Sequence, residues 1–137
     1  MKLARDEFIK IKESGRQYYK SIGKVYCPYF KEAVVFNTKG YRHLIFNSWN
    51  AARTQNEQHT RLKILPYAVK ILEKSHTLQE YNKRDERYYV FVAIMDNLRL
   101  KVVVRKSENG IRYFYSVYPS WKVNGKDRIL CFSDLEE

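Results

Sequence analysis

Residues 24–72 read KVYCPYFKEAVVFNTKGYRHLIFNSWNAARTQNEQHTRLKILPYAVKIL. Two short apolar runs, Val25–Phe30 and Ala33–Phe36, have the β-branched and aromatic content of strands. Pro28 marks an edge or an end of the first. The chain is then expected to turn at Asn37–Gly40 and to deliver His43 directly after the turn. The segment Tyr41–Trp49 fits either a helical turn or irregular backbone. From about Asn50 the pattern is helical: Leu62, Leu65, Val69 and Leu72 recur at helical spacing, and Ile64, Ala68 and Ile71 widen the stripe. Pro66 must kink that helix or sit in the first turn of a new one. Arg53, Glu57 and Arg61 stand at i, i+4 and i+8, which places all three on one helical face. A histidine, two arginines and several hydroxyls and amides therefore come off the junction between a hairpin and a helix.

Towards the N-terminus, residues 2–22 carry a broken apolar stripe (Leu3, Phe8, Ile11, Tyr18, Tyr19, Ile22) that predicts a helix, weakened by Gly15 and stopped by Gly23. Residues 1–23 are expected to form a helical extension, on the surface or reaching towards a partner, and residues 24–137 the domain proper. Towards the C-terminus, Ser75–Asp85 reads as a polar loop. Three strong strands follow: Arg87–Met95, Leu98–Lys106 after the tight turn Asp96–Asn97, and Ile111–Trp121 after Glu108–Asn109–Gly110, a hairpin turn with glycine where positive φ is needed. Asp127–Phe132 adds a short edge strand, and Ser133–Glu137 reads as a tail. The fold class expected is α+β, with N-terminal helices packed on one face of an antiparallel β-sheet.

Side chains alternate across a strand. Leu98, Leu100, Val102 and Val104 share one face with Ile111, Tyr113, Tyr115 and Val117, and this face is expected to meet the helices. The opposite face then carries the cations Arg99, Lys101, Arg105 and Arg112, the hydroxyl of Ser116, and the rings of Phe114 and Tyr118. A sheet covered on one side and open on the other shows this alternation. The open face reads as a nucleic-acid platform of cations and stacking rings, or as a solvated face that keeps the protein soluble.

The chain of 137 residues suffices for one domain with its own core, since a domain of this size buries roughly 68% of its unfolded surface. Apolar residues make up 45% of it, which excludes a disordered protein. The formal charge is +11, from 26 Lys and Arg against 15 Asp and Glu, and favours a polyanionic partner, nucleic acid before an anionic membrane surface. The two cysteines, Cys27 and Cys131, are too few for a disulfide framework or a four-cysteine zinc site. Reduced thiols in a cytoplasmic protein are expected. The N-terminal segment has no apolar signal-peptide core, and no run approaches the ~20 apolar residues of a membrane span.

These residue types suit one metal-free reaction. The 2′-hydroxyl of RNA attacks the adjacent phosphorus when a group takes its proton, a second group protonates the leaving 5′-oxygen, and cations hold the charge on the phosphoryl oxygens. Histidine suits the proton work; Arg and Lys suit the charge work. His43, Arg53, Arg61, Lys101, Arg105, Tyr115 and Ser116 supply these types. His59 and His76 lie in polar segments and read as surface residues. No HExxH motif, no clustered acidic set and no glycine-rich phosphate loop is present, so neither a metal nor a cofactor is expected.

The run VYCPYFKEAVVFNTKGYRHLIF, the spacing R-x7-R-L-x-x-L-P-Y, the strand KVVVRK and the ending YFYSVYPSW together resemble a phage-associated branch of the barnase–EndoU–colicin–RelE (BECR) nuclease superfamily. The resemblance spans residues 24–121 and rests on the combination C-P-Y-F, G-x-x-H-L and F-Y-S-V-x-P. It implies a barnase/RelE-like α+β fold with the active site on the sheet face away from the helices, and a metal-independent endoribonuclease acting as a toxin or in conflict between phage and host. It places the family's histidine at His43, its helix arginines at Arg53 and Arg61, its strand cation at Lys101 or Arg105 and its hydroxyl at Ser116. Tyr115, assigned to the helix-facing side, ranks lower. Arg99, Arg112, Phe114 and Tyr118 would add nucleic-acid contacts. Expected partners are RNA, tRNA or another structured RNA in particular, and an acidic antitoxin or immunity protein able to cover the basic surface. The alternative is a module of the same fold that binds nucleic acid without cutting it. A protein-interaction domain for an acidic partner is a third reading.

Overall fold

A computed structural model of the protein describes residues 5–48, 51–78, 80–81, 87–123 and 126–129. Cys131 and the expected tail Ser133–Glu137 lie outside the described residues. Helix α1 (Arg5–Ile22) carries Asp6 and Glu7 in its first turn and Lys20 in its last, the arrangement the helix dipole favours. Gly23, at φ 66°, ends it. Strands β1 (Lys24–Cys27) and β2 (Glu32–Val35) pair antiparallel from Lys24↔Val35 to Cys27↔Glu32.

The segment expected to turn at Asn37–Gly40 instead begins a helix, α2 (Thr38–Ile45). Asn37 caps it, its side-chain oxygen accepting the Gly40 N–H at 3.2 Å. His43 thus stands in the last turn of a helix rather than directly after a turn. The ambiguous stretch that follows is a small ribbon, β3 (Phe46–Ser48) against β4 (Ala51–Ala52). Helix α3 (Gln55–Lys74) starts five residues later than its periodicity suggested, because Thr54 caps it and accepts the Glu57 N–H at 3.2 Å. Arg53 therefore precedes the helix, although it still pairs with Glu57 at 3.7 Å. One helix runs through Pro66, which lies on its exposed side.

After β5 (Glu80–Tyr81), the strands β6 (Tyr88–Met95), β7 (Leu98–Lys106) and β8 (Arg112–Val123) form the expected antiparallel meander, and β9 (Lys126–Ile129) pairs back on β8. Asp96 and Asn97, at φ 50° and 64°, make the two-residue turn between β6 and β7 that a right-twisted hairpin needs. The strand order is β1-β2-β8-β7-β6-β5. The sheet is mixed rather than purely antiparallel: β2 joins β8 in parallel at Val35↔Tyr113, because α2 carries the chain away from the sheet after β2. The structure is thus α+β, with helices packed on a mixed sheet. Ile64, Leu65, Ala68, Ile71 and Leu72 of α3 and Tyr19 of α1 join Val34, Phe91, Leu100, Val102, Val104, Phe114 and Val117 in one core. Helix α1 contributes Tyr19 to that core, so it packs on the domain rather than reaching away from it.

Two departures from strict alternation matter. Every residue from Leu100 to Val104 is buried, so the middle of β7 is covered on both faces instead of one. A β-bulge lies between Val103 and Val104: Val103 pairs with Ser116, but Val104 pairs with Phe114, leaving Tyr115 as the extra residue.

Gly40 fits because it has no side chain. A Cβ there would collide with the Phe114 carbonyl oxygen and the Tyr19 hydroxyl. Alanine in place of a helical glycine ordinarily stabilises by about 1 kcal/mol. Here Gly40→Ala is expected to lower stability in urea unfolding by about 1–3 kcal/mol, because a backbone carbonyl cannot swing aside as a side chain does.

Candidate functional site

The close approach at Gly40 presses α2 onto β8, and its consequence appears one turn later. His43, at i+3 from Gly40, lands on Tyr115, the residue after Phe114; their ring centroids are 3.9 Å apart. The bulge turns Tyr115 to this side. A regular strand would have sent it to the helices, as its sequence position suggested.

Arg53 holds the histidine from behind. Its backbone N–H donates to the Ile45 carbonyl at 2.7 Å, drawing the chain back to the end of α2. Its Nε donates to the His43 carbonyl at 3.0 Å, and its Nη2 lies 3.3 Å from His43 Nδ1. Guanidinium nitrogens only donate, so Nδ1 is the acceptor and the neutral ring carries its proton on Nε2. Gln58 holds the Arg53 carbonyl at 2.8 Å. Arg61 is buried and donates from Nη1 to Ser116 Oγ at 2.6 Å and to the Val117 carbonyl at 3.2 Å. The Ser116 hydroxyl is therefore an acceptor for Arg61.

His43 is pushed down to about 4, first by burial and then by the charges of Arg53, Arg61 and Arg105. At neutral pH it is an uncharged imidazole with one donor, Nε2–H. Burial, with the hydrogen bond and charge of Tyr88, pushes the Tyr115 hydroxyl up to about 12, so it stays protonated. The Arg105 guanidinium stands 4.9 Å from the Tyr88 ring and 5.6 Å from the Tyr115 ring. A cavity of about 340 Å³ opens over this cluster, lined by Lys39, Arg42, His43, Phe46, Asn47, Arg105, Tyr113 and Tyr115. Such a site can hold an anionic oxygen among cations, with a neutral imidazole donor beside it.

The structure thus brings together His43, Arg53, Arg61, Arg105 and Ser116, in two layers. His43 and Arg105 line the cavity, whereas Arg53, Arg61 and Ser116 are not among its lining residues and act on the imidazole or on one another. Lys101 is buried in mid-strand rather than displayed on an open face. Tyr118 lies under the Arg61 guanidinium at 5.4 Å. Arg99 donates to Ser120 Oγ at 2.8 Å, six residues along β7 from Arg105 and so about 20 Å from it at the usual rise per residue. Phe114 is fully buried and stacked on Phe36 at 4.8 Å, with no surface left for a base. Arg112 pairs with Glu32 and lies over the Phe30 ring at 4.5 Å, because the bulge puts both it and Phe114 in phase with the core-facing residues of β7.

Lys39, Arg42, Tyr88 and Tyr113 escaped the sequence reading. Lys39, Arg42 and His43 stand at i, i+3 and i+4, a signal that becomes visible once 38–45 is read as a helix. Tyr88 has no local signal; the register Tyr88↔Arg105 places it there. Among the described residues no group of three or more His, Cys, Asp or Glu side chains is placed to hold a metal, and no helix is long and apolar enough to cross a membrane. No family model, curated protein or solved structure matches the chain.

The His43 ring protons, followed by NMR, should titrate near pH 4 instead of about 6.5, and Arg53→Met should move the midpoint upward. The unfolded chain then binds this proton more tightly than the folded one. The stability contributed by His43 is complete above about pH 6.5 and is lost as the pH falls towards about 4. A midpoint unmoved by Arg53→Met would show that this guanidinium does not set the charge of the ring.

Proposed function

We propose that the protein is a metal-independent RNA endonuclease related to the phage-associated barnase–EndoU–colicin–RelE nucleases, acting as a toxin or in conflict between phage and host. The observation that supports this most is His43, neutral and with one ring nitrogen engaged by Arg53, in a cavity whose other polar walls include Lys39, Arg42 and Arg105. Burial is the first cause of the low His43 pKa and persists when substrate binds; a phosphodiester seated beside Arg105 offsets the guanidinium charges that add to it, so the pKa rises from about 4. Protonated, His43 gives a proton from Nε2 to the leaving 5′-oxygen. The 2′-oxygen–phosphorus bond forms, the phosphorus–5′-oxygen bond breaks, and the 2′-hydroxyl proton passes to water. The products are a 2′,3′-cyclic phosphate and a 5′-hydroxyl. Arg105, with Lys39, steadies the charge on the phosphoryl oxygens. In-line attack needs a backbone free to bend, which favours loops and single strands, including those of tRNA, over regular duplex. An acidic antitoxin or immunity protein is the natural inhibitor of a surface with a charge of +11.

The same low pKa also favours a second reading, a module that holds nucleic acid without cutting it, since the free protein keeps His43 at neutral pH as an uncharged imidazole, a hydrogen-bond donor but a poor general acid.

Incubation with tRNA and ribosomal RNA in EDTA separates the two. The nuclease yields discrete fragments with cyclic-phosphate ends. His43→Ala should lower cleavage at least 100-fold while RNA affinity stays within about threefold of wild type. Absence of fragments together with salt-sensitive RNA retention would select the binding module.

A further inference from the structure

A second cavity, of about 660 Å³, adjoins the first and is lined by Asn37, Lys39, Arg87, Arg105, Lys106, Tyr113 and the β7–β8 turn at Ser107, Glu108, Asn109 and Ile111. Lys39, Arg105 and Tyr113 line both cavities. The buried Tyr113 contributes to both linings, and Lys39 Nζ lies 5.8 Å from its ring. Five cationic side chains (Lys39, Arg42, Arg87, Arg105, Lys106) line the pair, against the single carboxylate of Glu108.

The second cavity is preformed. Ser107 N–H donates to the Ile111 carbonyl at 2.8 Å and Gly110 N–H to the Ser107 carbonyl at 2.9 Å, which closes the turn. Lys106 N–H donates to the Arg87 carbonyl at 2.8 Å, which ties the other rim to the strand. Two cation-lined cavities that share Arg105 suit an anion repeated along a chain; one isolated phosphate fills only one of them.

We propose that this second cavity binds the phosphate next to the one held at His43, so that the ligand is a single-stranded polynucleotide lying from α2 to the β7–β8 turn. This rests on the nuclease reading for the position of the first phosphate and extends it. Arg105 is the shared cation, and Lys39 and Lys106 contact successive phosphates. Base identity counts for little in this groove, because its recognition falls on the backbone.

The test uses fluorescence anisotropy with two uncleavable 2′-O-methyl probes, a dinucleoside monophosphate and a tetranucleotide. Lys106→Gln should weaken tetranucleotide binding about three- to tenfold and lower its salt slope by about 0.7, the value of one phosphate contact on a single strand. That loss should exceed the loss on the dinucleoside monophosphate at least threefold. Lys106→Arg should restore binding, and Lys70→Gln, the same charge change on an exposed position of α3, should leave the tetranucleotide within twofold. Equal losses on both probes, or a Lys70→Gln loss as large as that of Lys106→Gln, would overturn the second site and leave only a general field of positive charge. Thermal melting of each variant verifies that the fold persists. Should the wild type cleave RNA through His43 while Lys106→Gln has a wild-type salt slope, the groove is wrong and the nuclease reading stands. If the salt slope drops as expected but no RNA is ever cut, the groove stands and the nuclease reading fails.

Discussion

Helix α2 lies on strand β8 with a glycine at the point of contact, and much of the molecule depends on that closeness. The Tyr19 hydroxyl of α1 donates to the Asn37 carbonyl at 2.7 Å, and Asn37 in turn caps α2. Tyr19 also packs on the rings of Phe36, Tyr41 and Phe114. Three elements distant in sequence thus meet at one ring and one missing side chain. Tyr19 sits at that junction, so the first helix belongs to the core in packing terms. Separating it would expose a buried ring and leave the Asn37 carbonyl with only the Tyr41 N–H, at 3.2 Å.

The same junction sets the chemistry of the site. With α2 close to the sheet, the last turn of the helix can lay a histidine on Tyr115 while Arg53 returns from the ribbon to cover its back. Three guanidinium groups then act on one imidazole, with Glu57 the nearby carboxylate that answers Arg53. Such a cluster is electrostatically unfavourable alone and becomes favourable when an anion enters. Positive charge held in place before the ligand arrives need not reorganise when it does, which is the condition under which fixed cations stabilise developing negative charge.

Much of this architecture was legible in the residues. Alternating β-branched and aromatic runs marked the meander, Asp96–Asn97 and Gly110 marked its turns, and the Leu62–Leu72 stripe marked the long helix. The i, i+4 spacing put Arg53 near Glu57, though ahead of the helix rather than on its face, and residue type offered His43 with either Lys101 or Arg105 without showing which of them meet. These are local properties, in which a periodicity, a turn propensity or a charge acts within a few residues of itself.

What escaped the sequence depends on the meeting of distant segments. The parallel join of β2 to β8 follows from where α2 carries the chain. The bulge at Tyr115 is one extra residue between paired strands, and a period-two pattern has no sign for it; that single residue moved Phe114 and Arg112 out of the expected face and Tyr115 into the site. The burial of Lys101 and the pairing of Arg61 with Ser116, 55 residues apart, are products of packing. The sequence by itself determined the first and last helices, the meander and the excess of positive charge, but not α2, the β3–β4 ribbon or β5. Only the tertiary structure decided which cations line the cavity, which lie behind it, and which nitrogen of His43 faces Arg53, because each is set by strand register and helix approach between parts of the chain that carry no local record of one another.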